Sequence, residues 1–158
     1  VNINTVTDAI AQAIAVDATL SAWCVSTYGR VATVYINFDR RDAPGEENCP
    51  FVSLRPTSYT SGRGVDSEAC GIEIVSCVYD DEARTWVADN VSQGQGVYNL
   101  EQMNQYVISA VGGASLPANA VVEDFNLEYE TVDLFPFILA GGLYNIRAPL
   151  TIGYDPMA

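Results

Sequence analysis

Residues 143–154, LYNIRAPLTIGY, decide the fold, because their side chains sort onto two faces. Tyr144, Ile146, Ala148, Leu150, Ile152 and Tyr154 share one parity, while Leu143, Asn145, Arg147, Pro149, Thr151 and Gly153 share the other. Only Leu143 breaks the division into a dry and a wet face. That period of two predicts a β-strand half buried against a core. At a rise of about 3.3 Å per residue it extends ~40 Å, long enough to span a whole sheet. Pro149 has no N–H to give to a ladder, so its part of the strand is expected at an edge or a bulge.

Outward from that strand, 158 residues with a 49% hydrophobic share fit one domain over 1–158, large enough to bury a core unaided. No apolar run approaches the ~20 residues of a membrane helix, so the reading is a soluble chain without membrane partners. Twenty acids against seven bases leave a net charge of −13; every base is arginine, and histidine is absent. Such a surface repels nucleic acid at long range. Cys24, Cys49, Cys70 and Cys77 form no C-x-x-C pair, and mixed Cys/His zinc sites need a histidine the chain lacks. Nothing at the N-terminus resembles a signal peptide, which favours reduced, buried thiols over two disulfides. The Asn90-Val91-Ser92 sequon carries no weight without such a signal.

In chain order, Thr5-Val6-Thr7-Asp8 suits a capping box. Ile3, Val6, Ile10, Ala13, Ile14 and Leu20 then mark one helical stripe to about Leu20, with Trp23 closing its end. Residues 31–38 alternate as a first strand, 39–48 form a loop around Pro44-Gly45, and 51–55 form a short second strand. Residues 57–64, TSYTSGRG, lack any aliphatic side chain and predict an exposed loop. Their Gly62-Arg63-Gly64 lacks the lysine and setting of a phosphate-binding loop. Residues 70–79 are apolar on both parities apart from Glu73 and Ser76, as in an interior strand.

Asp80-Asp81-Glu82 lacks the spacing of a calcium loop and predicts a solvated turn. Asn99 and Gln102 suit a second capping box, followed by a helix whose inner face is Leu100, Met103, Tyr106, Val107, Ala110 and Val111. Gly112-Gly113 ends it. Val121, Phe125, Leu127 and Tyr129 predict a half-buried strand, Phe135-Pro136-Phe137 crosses back, and Gly141-Gly142 turns into the long strand. The expected fold class is α+β, an antiparallel or mixed sheet of about five strands with two helices on one face.

Without histidine, serine and cysteine triads, common metal hydrolase sites and the usual neutral-pH base are excluded. No dinucleotide, Walker or PLP signature is present, so no cofactor is expected. A carboxylate-based hydrolase or a small-ligand-binding module stays open, although no spacing singles out a pair of acids. The expectation is a protein that is not an enzyme.

The layout resembles the tail terminator (tail completion) proteins of long-tailed bacteriophages. An amphipathic helix ends near Asp17 and Leu20. A strand follows, then the proline-led strand Cys49-Pro50-Phe51-Val52-Ser53-Leu54, a polar loop, a central strand, a helix, and a last strand introduced by Phe135-Pro136-Phe137. The resemblance covers nearly the whole chain apart from 80–96, and related neck and head-closure proteins share parts of it. It implies a structural virion protein assembled in the host bacterial cytoplasm: a ring, typically of six copies, that caps the tail tube, ends its polymerisation and meets the head-tail connector. An acidic lumen would let genome DNA pass without specific binding. Another neck or tail tube protein is the alternative. Copies so acidic need arginines at their contacts, which makes Arg40, Arg41, Tyr59, Arg63 and Arg84, all in expected loops, the partner-interface candidates. Arg147 could equally serve the wet face of the long strand.

Overall fold

A computed structural model describes residues 2–61, 67–85 and 91–149. Its elements run α1 (Ile3–Val16), α2 (Ala18–Tyr28), β1 (Thr33–Ile36), β2 (Phe51–Thr60), β3 (Ser67–Tyr79), β4 (Ala83–Thr85), β5 (Ser92–Gly94), α3 (Gln95–Gly112), β6 (Val121–Glu130) and β7 (Phe137–Pro149). The main sheet has the order β1-β2-β3-β7-β6, with β1 parallel to β2 and every other pair antiparallel. It is a mixed sheet in an α+β fold. β4 and β5 form a separate two-stranded ribbon in the stretch that resisted sequence reading.

The decisive strand alternates as expected: Tyr144, Ile146 and Ala148 are buried, while Leu143, Asn145, Arg147 and Pro149 are exposed. It begins earlier, at Phe137, because Gly141-Gly142 does not turn but lies inside the ladder opposite Val75 and Ile74. β7 is interior, flanked by β3 and β6. Pro149 pairs with Ser67 on the β3 side, whereas β6 ends its pairing at Arg147, so the proline lies past the end of the neighbour that would need its N–H. Residues 150–154 lie outside the described residues.

All helices pack on one face. Val6, Ile10 and Ile14 of α1, Leu20 and Cys24 of α2, and Leu100, Met103 and Val107 of α3 join Val52, Leu54, Ile72, Ile74, Ile138, Tyr144 and Ile146 in one buried cluster. Each large aliphatic there contributes roughly 1.5–3 kcal/mol at most, since real unfolded chains already hide part of that surface. The expected single N-terminal helix is two, meeting at 55°. Asn2, not the expected capping box, caps α1 by accepting from Asn4 N (2.8 Å), and Asp17 caps α2 by accepting from Leu20 N (2.7 Å). Trp23 therefore sits within α2, its ring 6.0 Å from those of Tyr28 and Tyr106. α3 also starts earlier than expected, at Gln95 behind the Gly94 cap, which puts Asn99 inside the helix with its amide free for tertiary bonds.

Three strand expectations are corrected. β1 is shorter than 31–38 because Asn37 takes a left-handed backbone (φ 52°), swinging Phe38 to the helix-free face against Tyr35 and Phe51. β2 is longer: residues 57–60 of the expected loop belong to it, continuing past a bulge between Pro56 and Ser58. β1 pairs only with Phe51 to Leu54, so Pro56 also sits on a locally free edge. In β6, Val121, Phe125 and Tyr129 are exposed rather than half-buried. A bulge at Glu123 changes the parity, and α3 faces the first half of β6 across an open cleft lined by Ile108, Val111, Val122 and Phe125.

Candidate interaction surface

The helix-free face is where one of the candidate residues, Arg40, meets a shaped surface. β1, β2, β3 and β7 present Tyr35, Phe51, Val75 and Leu139 there, and Phe38 folds over them, with ring centroids 5.8–6.5 Å apart among Tyr35, Phe38 and Phe51. The result is an apolar trough of about 340 Å³ whose polar rim includes Arg40, Arg55 and Glu73. A second apolar hollow of about 220 Å³ adjoins it beneath Ala43 and Pro44, floored by Cys77, Phe137 and Leu139 and flanked by Leu134. Near it, residues 131–136 carry exposed Val132, Leu134 and Phe135. A concave apolar floor with a few charges at its rim is the form of a protein docking surface.

The arginines differ in how far they are engaged. Arg55 and Glu73 are ladder partners and pair at 3.1 Å, while Arg147 binds Glu123 at 2.8 Å on the wet face of β7. Arg30 donates to the Glu47 carbonyl and to Thr33 Oγ1, the latter at 2.7 Å. Arg41, in the turn Arg40–Asp42, is held by its neighbour Asp39 at 2.9 Å, which lowers the Asp39 carboxyl and raises the guanidinium. Arg40 has no ion pair among the described residues and stands at the trough's rim.

The other candidates do not converge on Arg40. Tyr59 lies further along β2, where its hydroxyl donates to Glu68 Oε1 at 2.7 Å. Arg84 is placed by its backbone in the small ribbon, opposite Gln93. Arg63 lies outside the described residues.

A polar cleft of about 420 Å³ opens where α2 and α3 meet residues 79–82. Tyr28 OH donates to Asp80 Oδ2 (3.3 Å), Asn99 Nδ2 donates to Tyr28 OH (3.0 Å) and to Asp80 Oδ2 (3.3 Å), and Gln95 Nε2 donates to Asn99 Oδ1 (2.9 Å). Burial drives the Tyr28 phenol well above its ordinary range, so it keeps its proton at neutral pH. Among the described residues no group of three or more Cys, Asp or Glu could hold a metal. These side chains tie the helix ends to the sheet. Sequence reading missed the network because Asn99 reads as a helix cap. It missed the trough because that needs Phe38 to change faces.

No family model and no curated protein matches the chain. Solved structures do match: a chain of "Virion of native gene transfer agent (GTA) particle" superposes with a TM-score of 0.62, covering 94% of this chain and 97% of that one at 17% identity. The two chains share a fold. At that identity the virion chain's likeness is architectural, and its extent in both directions means that no large insertion separates the two.

Proposed function

We propose that the protein is a structural virion component that works as a tail-terminator-like ring, of six copies, at the junction of tail tube and head connector. The observation that carries this reading is the two-way match, nearly end to end, to a chain of a virion particle. The surfaces suit it. Arg40 stands at the rim of an apolar trough on one side of the sheet, while exposed carboxylates and the apolar 131–136 turn are available to a neighbouring copy. A head-to-tail contact between such unlike surfaces closes into a ring when the rotation allows it. The acidic balance suits a lumen through which DNA slides without sticking. The role is non-catalytic, and the protein belongs in the virion after assembly in the host cytoplasm.

The test is native mass by light scattering over a concentration series, with electron microscopy in the presence and absence of tail tubes. Rings that form with concentration and cap tube ends are expected, and Arg40→Glu with Arg41→Glu should weaken closure without unfolding the subunit. A strict monomer that neither closes nor caps tubes overturns the reading. Incorporation along the tubes would instead identify a tube subunit.

A further inference from the structure

We propose that Glu128 and the glycine-floored groove beside it form the docking site for Arg40 of a second copy of this chain. Ladder partners share a face of a sheet, and the registers string Tyr35, Ser53, Val75, Gly141 and Glu128 into one row across the helix-free face, from edge to edge. Toward the β1 end of that row lies the apolar trough with Arg40 at its rim. At the β6 end stands Glu128. Between Glu128 and Glu73, Gly141 carries no side chain, and a groove of about 220 Å³ opens there, walled by Leu143 and Asn126.

The other carboxylates of β6 are engaged within the subunit. Glu123 binds Arg147 at 2.8 Å, Asp124 accepts from Asn145, and Glu130 accepts from Val132 N at 3.1 Å and Asp133 N at 2.9 Å. Glu128 and Arg40 are both exposed, and neither has an ion pair among the described residues. β1, which leads into Arg40, and β6 are opposite edges of the five-stranded sheet, about 19 Å apart at the usual strand spacing, which keeps the two charges apart within one chain. With two copies side by side, the β1 edge of one brings its Arg40 to the β6 edge of the next. There the flat guanidinium meets a floor without side chains between two carboxylates, a setting that suits its planar fork of donors. Val132, two residues past the end of β6 and 75% exposed, brings apolar surface toward the trough of the neighbour.

Because the two surfaces sit at opposite edges, the contact is heterologous and can repeat from copy to copy. That such contacts close into a ring rests on the virion reading; the contact itself does not. The test measures mean mass by light scattering over a concentration series for the purified full chain, Arg40→Glu, Glu128→Arg, the double variant and an equal mixture of the two single variants. Both side chains are exposed, so thermal melting should be unchanged. Each single variant should raise the concentration needed for association by about tenfold or more, because like charges then face each other. The double variant and the mixture should recover most of that loss, since neighbouring copies again join opposite charges. Single variants that associate like wild type, or a double variant no better than the singles, would overturn the contact and leave the ring reading standing. Recovery by charge exchange in assemblies that never cap tubes would uphold the contact and overturn the ring reading. A wild type that stays monomeric throughout overturns both.

Discussion

Tyr144 and Cys24 show what the core does to single ionisable groups. Burial pushes the Tyr144 phenol up to about 12 from an ordinary value near 10, and the Cys24 thiol up to about 11 from near 9. In the unfolded chain both ionise at their ordinary values. Their contribution to stability is therefore full below about pH 9 and is lost as pH rises through the folded values of about 11 and 12. Urea midpoints measured across that window should fall, and Tyr144→Phe should flatten the upper part of the fall by removing the phenol. Equal slopes for wild type and Tyr144→Phe would show that the phenol is not held neutral. The ring itself must be kept, because it stacks on Phe125 at 5.1 Å.

At the scale of elements, neighbouring Gly141 and Gly142 make unlike demands. A Cβ on Gly142 would stand 2.7 Å from Leu127 Cδ2 and 2.8 Å from Tyr144 Cε2, whereas one on Gly141 would meet only Val75 Cγ2 at an ordinary 3.6 Å. Gly142→Ala should cost about 1–3 kcal/mol in overpacking, and Gly141→Ala should be within ~0.5 kcal/mol of neutral or stabilising. Paired urea melts check this; equal losses would mean that backbone freedom, not packing, selects both glycines. The same pair explains part of what was legible. Alternation from Tyr144 to Ala148 could be read because one face of β7 is dry along that length, but two glycines read as a turn when their packing neighbours are unknown. Asp17 was visible only as the end of a stripe, since its capping bond marks a break that the apolar spacing runs straight through. β6 misled because burial depends on what lies above a strand, and Phe125 and Tyr129 are left exposed despite their spacing. For the candidate surface, the loop position of Arg40 and Arg41 was readable. The trough was not, because it is assembled from three strands and the segment after β1 that the left-handed residue Asn37 redirects.

For the whole molecule, charge sets the conditions under which copies meet. Each chain carries −13, while Arg30, Arg41, Arg55 and Arg147 are already engaged within their own subunit. Long-range repulsion between copies therefore outweighs the few attractive pairs that one contact can supply. Screening acts first on the long-range part: the Debye length shrinks from about 30 Å at 0.01 M salt to about 8 Å at 0.15 M, whereas an arginine seated at the edge of an apolar trough is screened much less. Raising salt across that range should promote ring closure at fixed protein concentration, seen as a rising mean mass in light scattering. Arg40→Glu with Arg41→Glu replaces two cations with anions, so it should move the same rise to higher salt. Rings that fall apart as salt is added would instead mean that exposed ion pairs, not the apolar trough, hold neighbouring copies together.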